Sequence, residues 1–441
     1  MARGARCQAV QTHRLKTASN RAPARPWRRS GRRPAEAVPD QLSKPVRQHR
    51  PTLRSRPRGP PHREKKRPIT YDALRLTPCL ASINYAPLLD GYSVLLQSTH
   101  LIHDTRRVHA TTSVSLPRIR FGCGLYDRVI PLYSGEVKPE GIDFEFIPND
   151  DPRDIFDKMG ARQEYDAAEM SSSEFIAGTS AGTSPFVAIP VFMSRVFRHG
   201  FITVNKNAGI RTPKDLEGKR VGVALYTMTA AVFMRGLVEN EYGVDMSKIR
   251  WIQGAIEKAG AHGSPTVPPL LKKVNIENNT SRKSLSQMLS SGEIDALFGA
   301  LMPEGFGTDP NIVRLFPNFV AVEQDYYRRT KIFPIMHLVA IRKAIYEKHP
   351  AVAASLFRAL CESKRLALKK MAYTGALHNM LPWLPAHLEE RDAVMGDNPW
   401  PYGIEPNRPT LDALVKYSHQ QGITDRQMPV DSLFVPVPAG S

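Results

Sequence analysis

Three stretches of the chain concentrate side chains able to do chemistry. MSRVFRHG brings Arg195, Arg198 and His199 within five positions. Two such guanidinium groups could clamp a carboxylate bidentately, or form a structural ion pair or a solvated face. His199 titrates nearest neutrality and is the first candidate for general acid or base work, against a satisfied structural histidine. DAAEMSSSEF carries Glu169, Ser171 and Ser172. Glu169 follows an apolar run and could orient His199 or merely cap a turn. The serines could donate to a ligand oxygen or cap the next helix. The third stretch, VGVALYTMTAAVFMRGL at residues 221–237, reads as a strand that feeds a helix through a short turn. Tyr226, Thr227, Met228 and Thr229 lie at the helix start with no acid among them. A helix N-terminus leaves N–H groups unpaired and carries partial positive charge, so it can seat a carboxylate or phosphate. The plainer expectation is that Thr229 is only an N-cap.

Further candidates stand singly. Tyr126 and Arg128 lie in a loop after a first strand. His337 interrupts the apolar run IFPIMHLVAIRK and could face a cleft or pack in a core. Tyr126, Tyr226 and Tyr402 could stack on an aromatic ligand or bond its hydroxyls, with core packing the equal alternative. His199, His337 and Glu169 could in principle form a two-histidine, one-carboxylate metal site. Nothing in their spacing supports it, so no metal is expected. No Ser-His-Asp order, Walker loop, GxGxxG or HExxH occurs. Cys7, Cys79, Cys123 and Cys361 have no metal-like or disulfide-like spacing, which makes a reducing compartment, the cytoplasm, the expected location.

These residues need a scaffold, and from Pro117 onward the chain supplies one. RIRFGC, IDFEFIPN, YDAAEM, PFVAIPVF and FITVN read as strands, with a capped helix at DPRDIFDKMGARQ and another after the serines. TPKDLEG reads as a short capped helix. KIRWIQGA and EIDALFGA are further strands, SLSQMLSSG a helix, and residues 256–272 a loop rich in Gly and Pro. IMHLVAIR is a late strand. AVAASLFRALCESKRLALKKMA is a long amphipathic helix, and a last helix begins near Pro409. Strands alternating with helices imply an α/β fold with mostly parallel sheets, which bind ligands at the carboxyl ends of their strands. YDAAEM and EIDALFGA each follow a helix and share Asp-Ala before an apolar strand, a weak internal echo between two like-built halves.

Charge divides the 441-residue chain differently. The net charge of +19 is not spread evenly: residues 1–116 hold 23 Lys and Arg against 6 Asp and Glu, and the other 325 hold 38 against 36. The body is near neutral, so no nucleic-acid partner is expected for it. The Arg- and Pro-rich leader buries too little to offset chain entropy and is expected to be mostly disordered. A transit peptide, a nucleic-acid-binding arm, or a start codon misplaced upstream of Pro117 would each account for it. Residues 72–102 show no clear period. No apolar run approaches the ~20 residues of a membrane span.

Within the body, several motifs together resemble the 4,5-dihydroxyphthalate decarboxylase family. They are YDR (126–128), VKPEGID (137–143), DAAEMS (166–171), VAIPVFMSRVFRHG (187–200), DLEGKRVGVALYTMTAAVFMRG (215–236), SLSQMLSSGEIDAL (284–297), YYRRTKIFPIMH (326–337) and NPWPYGIEPNRPTL (398–411). The resemblance runs in register over about residues 118–435. It implies a two-lobed α/β fold of the type II periplasmic-binding-protein-like kind, with strands near 203 and 338 crossing between lobes. Lobe 1 would then comprise 117–204 and 336–441, and lobe 2 residues 205–335. The implied substrate is a small anionic aromatic acid with two carboxylates and two neighbouring hydroxyls. The implied activity is a carboxy-lyase reaction in the cleft, with Glu169 available to take a phenolic proton. No cofactor is implied, because a hydroxyl para to the departing carboxylate makes the ring its own electron source. The other reading of such a scaffold is a binding protein for a small anionic or aromatic ligand of an ABC-type uptake system, which would call for an export signal or lipobox cysteine. Assembly into a homo-oligomer is compatible with the sequence.

Overall fold

A computed structural model describes residues 116–438. The expectations for the leader and for residues 72–102 lie outside the described residues, apart from Leu116. The first half of the fold runs β1 (Arg118–Cys123), α1 (Ile130–Tyr133), β2 (Asp143–Pro148), α2 (Pro152–Asp157), β3 (Ala167–Ser171), α3 (Ser172–Ser180) and β4 (Phe186–Arg195). The chain then crosses to β5 (Ile202–Asn205), β6 (Arg220–Val223), α4 (Thr229–Tyr242), β7 (Arg250–Gln253), β8 (Ile276–Asn278), α5 (Leu285–Ser291), β9 (Ala296–Phe298), β10 (Ile312–Arg314) and α6 (Phe319–Thr330). It returns through β11 (Ile335–Arg342), α7 (Lys343–Lys348), α8 (Ala351–Met371), α9 (Leu384–Met395) and α10 (Arg408–Gln420).

The strands form two sheets, ordered β2-β1-β3-β11-β4 and β10-β5-β9-β6-β7-β8. Each follows one plan. The first strand of a lobe lies parallel between its second and third, and the strand arriving from the other lobe inserts antiparallel between third and fourth. In the second sheet β8 extends the edge beyond β7. This is the two-lobed, twice-crossed α/β architecture of the type II periplasmic-binding-protein-like fold. The Asp-Ala echo has a structural meaning within it, since β3 and β9 are the third strands of their sheets. The Arg120 N–H donates to Asp166 Oδ2 at 3.0 Å, as the Arg220 N–H donates to Asp295 Oδ2 at 2.8 Å. In each case the aspartate's own N–H returns a bond to the arginine carbonyl. One carboxylate per lobe thus pins the start of the first strand to the third.

β4 shows why an unbroken apolar run suits this position. Ile189, Val191 and Met193 enter the cluster under α8, while Ala188 and Phe192 enter the cluster shared with α10. The side chains alternate between faces, and both faces are covered. Fully burying each of the large ones is worth roughly 1.5–3 kcal/mol. α5 begins with the capping box Ser284–Gln287, and the short turn Pro213–Leu216 with Thr212 and Asp215. The last helix, α10, leaves β11's sheet and packs on α4: a Cβ at Gly236 would lie 2.3 Å from the Tyr417 ring. That contact fixes the axis of α4, whose N-terminus points toward the site. α9 and the short strands β8 and β10 were not legible as elements in the sequence.

Candidate active site

A cavity of about 290 Å3 lies where the strand ends of the first sheet meet the N-terminus of α4. Tyr126, Ser171, Ser194, Arg198, Met228, Thr229 and His337 line it, joined by Arg153, Phe156 and Glu174 from α2 and α3 and by His262, Ala300 and Leu301 from second-lobe loops. A volume near ~300 Å3 suits a small ligand.

His337 reaches the cavity by the ordinary alternation of β11, whose register with β3 is unbroken from His337 to Ile341 and puts its side chain on the same face as Glu169; the register shifts beside it lie in the pairing with β4. Its Nδ1–H donates to Glu169 Oε1 at 2.5 Å. Glu169, on β3, is wholly buried. The same Oε1 accepts the Tyr126 hydroxyl at 2.7 Å, and Oε2 accepts the Gly124 N–H at 3.3 Å and the Cys123 thiol at 3.5 Å. Burial alone would push the Glu169 carboxyl up. The charge and hydrogen bond of His337, with the Tyr126 and Gly124 donors, outweigh it and hold the group below the ordinary carboxylate range. Burial and the same carboxylate push the Tyr126 hydroxyl and the Cys123 thiol up, so both remain proton donors at neutral pH. With Nδ1 held by Glu169, Nε2 is the ring nitrogen left for chemistry. The Phe156 ring stands edge-on to the imidazole at 4.8 Å.

The α4 N-terminus meets the cavity. Met228, not Thr229, is the N-cap residue, and its side chain makes no capping bond; the first turn contains no acid. The expectation that Thr229 serves only as an N-cap is therefore corrected. Thr229 is the first helical residue, and its hydroxyl instead joins the two lobes. It lies 3.0 Å from Ser171 Oγ and 2.9 Å from Ser173 Oγ, and accepts the Ser173 N–H at 3.0 Å. Ser173 Oγ in turn donates to the Thr227 carbonyl at 2.6 Å. The open N–H groups of the α4 first turn thus stand at the cavity wall.

Arg198 lines the same cavity. It is 6 % exposed, and its Nε and Nη1 donate to Met336 Sδ and the Ala300 carbonyl, both at 3.2 Å. No carboxylate of the described residues forms an ion pair with it. Burial pulls its pKa down to about 9 against the opposing influence of the Glu323 carboxylate, which lies beyond ion-pair distance, so it is charged at pH 7. Arg153, by contrast, is already matched: Glu174 takes its two terminal nitrogens at 2.7 and 3.1 Å, and Asp157 lies at 2.7 Å.

Other expected site residues lie elsewhere. His199 does not line the cavity. It is 1 % exposed among the rings of Tyr242, Phe316 and Tyr326, and neither ring nitrogen has a hydrogen-bond partner. Burial, aided by the charge of Arg329, lowers its pKa to about 4, so it is neutral at pH 7. As general acid or base it is corrected to a packing residue, and Glu169 orients His337 instead. Arg195 donates to Asn407 Oδ1 at 2.7 Å and the Phe333 carbonyl at 2.8 Å and stacks on the Phe333 ring, a buried brace between β4 and the 401–407 loop. Arg128 donates to the Met193 carbonyl and sits between the Tyr126 and Trp400 rings at 4.2 and 4.4 Å, backing Tyr126 from behind. Tyr402 is fully buried in the first-lobe core, under Lys364. Tyr226 packs beneath the buried Arg235, 3.7 Å from its ring. Ser172 is buried with an unpartnered hydroxyl, and Thr227 serves through its carbonyl. Among the described residues no group of three or more His, Cys, Asp or Glu is placed to hold a metal ion.

The fold and cavity define a two-lobed α/β protein with a cavity where its lobes meet. An NMT1/THI5-like family model matches residues 137–262. A 4,5-dihydroxyphthalate decarboxylase of Comamonas testosteroni is 35% identical over 320 residues, covering 72% of this chain and 96% of that protein. One of Pseudomonas putida is 38% identical over 206 residues, 46% of this chain and 79% of that one. The chain belongs to the 4,5-dihydroxyphthalate decarboxylase family, a family of carboxy-lyases. Among solved structures, sulfonate-binding proteins of Methylobacillus flagellatus (15% identity, TM-score 0.40, 73% of this chain and 92% of that one) and Escherichia coli (12%, 0.42, 73% and 98%) are also similar. No helix of the described residues is long and apolar enough to cross a membrane.

Proposed function

We propose that this chain removes one carboxylate, as carbon dioxide, from a dihydroxyphthalate-like aromatic dicarboxylate, yielding 3,4-dihydroxybenzoate in the breakdown of phthalate-type acids. The observation that carries the reading is the pairing, in one cavity, of a buried unmatched cation with an imidazole oriented by a buried carboxylate. Arg198 and the open N–H groups of α4 hold the retained carboxylate. His337, hydrogen-bonded to Glu169 through Nδ1, delivers a proton from Nε2 to the ring carbon bearing the departing carboxylate. The hydroxyl para to that carbon releases electrons to the ring as the C–H bond forms. The C–C bond then breaks, its electron pair returns to the ring, and carbon dioxide leaves. Glu169 stabilises the imidazolium before transfer, and Tyr126 helps keep the carboxylate ionised.

The cytoplasm suits this chemistry, and Cys123 is a reduced thiol that donates to Glu169, in keeping with a reducing compartment. A homo-oligomer is the partner we favour, because Tyr373, Leu377, Met380 and Trp383 expose apolar surface along one segment between α8 and α9. The test incubates the 441-residue chain with 4,5-dihydroxyphthalate and measures carbon dioxide and 3,4-dihydroxybenzoate. Stoichiometric release of both is expected. Saturable binding of the acid with no product would overturn the reading in favour of a binding protein.

A further inference from the structure

The Gly- and Pro-rich segment between β7 and β8, residues 254–275, does not stay with its own lobe. It crosses to α2 of the first lobe, where the Ser264 N–H donates to Asp157 Oδ2 at 3.0 Å. Gly263 makes that approach feasible. Its φ is +72°, and a Cβ there would fall 2.6 Å from the Arg153 side chain and 2.8 Å from Asp157 Oδ2. The neighbouring residue, His262, is thereby delivered to the cavity that holds Arg198 and His337.

We propose that His262 reads a ring hydroxyl of the substrate and so sets the preference for a hydroxylated ring. This rests on the decarboxylase reading for the identity of the ring. Of the four basic side chains on the wall, Arg198, Arg153, His337 and His262, the first three are already engaged. Arg198 is the buried unmatched cation and takes a carboxylate. Arg153 is already matched by Glu174 and Asp157. His262 is half-buried, and neither of its ring nitrogens has a hydrogen-bond partner among the described residues. Burial, with the charge of Arg153 beside it, lowers its pKa, so at neutral pH it keeps one acceptor nitrogen and one N–H. On a 4,5-dihydroxyphthalate the hydroxyl edge lies across the ring from the carboxylate edge. A neutral imidazole complements that edge, whereas a cation would compete for the carboxylates.

The experiment measures the affinity of the full-length chain for 3,4-dihydroxybenzoate and for benzoate, each of which has only the one carboxylate that the anchor would hold, in wild type, His262→Ala and His262→Gln. KM and kcat for 4,5-dihydroxyphthalate are read alongside. We expect wild type to prefer the dihydroxy acid. His262→Ala should lose about tenfold of that affinity, the share of one hydrogen bond, while benzoate stays within about twofold. Glutamine should restore part of the loss, and KM should rise more than kcat falls. Equal loss for both ligands would mean that His262 merely shapes the strap, and an unchanged preference would mean that it does not touch the ring; either overturns the inference. A preference that depends on His262 in a chain releasing no carbon dioxide would sustain the inference and sink the decarboxylase reading instead.

Discussion

His337 Nδ1 lies 2.5 Å from Oε1 of the wholly buried Glu169, although the two residues are separated by 168 positions. A carboxylate out of water is tolerable only where donors surround it, and here His337, Tyr126 and Gly124 do so. The price of that burial is an imidazole fixed in orientation at the cavity wall.

Removing the imidazole should remove turnover. His337→Asn is expected to cut kcat by roughly 10²–10⁴-fold, the usual worth of a positioned acid, while dissociation constants for 3,4-dihydroxybenzoate change little. Glu169→Gln should cost less in kcat. It should also flatten stability against acid. The Glu169 pKa is held below the ordinary carboxylate value of 4.5, so its stabilising contribution is complete above that pH and is lost as pH falls through the lower folded-state value. Melting temperatures taken between neutrality and pH 3 would show wild type falling faster than Glu169→Gln. Parallel curves would remove Glu169 from this role.

His199 makes the opposite case. A histidine kept neutral in the fold, with a pKa near 4 against 6.5 when exposed, disfavours folding once the unfolded chain begins to bind its proton. Its contribution to stability is complete above pH 6.5, falls as pH drops toward 4, and levels off below. His199→Leu should therefore lose less melting temperature than wild type between pH 7 and pH 4.5. Its kcat at pH 7 should stay within a fewfold. A hundredfold loss of kcat with an intact fold would return His199 to the chemistry.

Arg198 should be worth more to the substrate than to the fold. A buried cation with no carboxylate partner pays desolvation without an ion pair in return, so Arg198→Met should leave the melting temperature unchanged or raised. Binding of the anionic substrate should weaken by about 2–4 kcal/mol, some 30- to 1,000-fold in kcat/KM. A variant that melts lower yet keeps its KM would show Arg198 to be a brace like Arg195.

How far these placements were legible follows from what sequence encodes. Strand–helix alternation and the Asp-Ala echo gave the two sheets, because strands buried on both faces leave long apolar runs such as β4 and β11. Glu169, Ser171, Arg198, Met228 and Thr229 were legible as site residues because each lies where a strand ends or a helix begins. The ranking of the histidines was not. His199 adjoins Arg198 in the chain, but neighbouring side chains leave the backbone in different directions, one into the cavity and the other into a nest of aromatic rings. His337 stood among the substrate-binding candidates but ranked below His199, because a lone histidine in an apolar strand reads equally well as a core residue. Arg153 and His262 carried no signal at all: their places depend on a loop of one lobe reaching the other, which no periodicity records.

The same dependence between lobes gives Thr229 a measurable weight. Its hydroxyl, 2 % exposed with the rest of the residue, accepts the Ser173 N–H and shares bonds with two serine hydroxyls of the first lobe. Thr229→Val keeps the shape and removes the acceptor, so the Ser173 N–H is left buried without a partner at a cost of about 1–3 kcal/mol. The melting temperature should fall accordingly. Ser173→Ala removes a hydroxyl but keeps the N–H bonded to Thr229, and should cost less. Because the bonds join β3–α3 to α4, loosening them also lets the α4 N-terminus drift from Arg198, and KM should rise in Thr229→Val with kcat nearly retained. If stability drops while KM holds, the hydroxyl cluster ties the lobes without setting the distance between the two anion-binding groups.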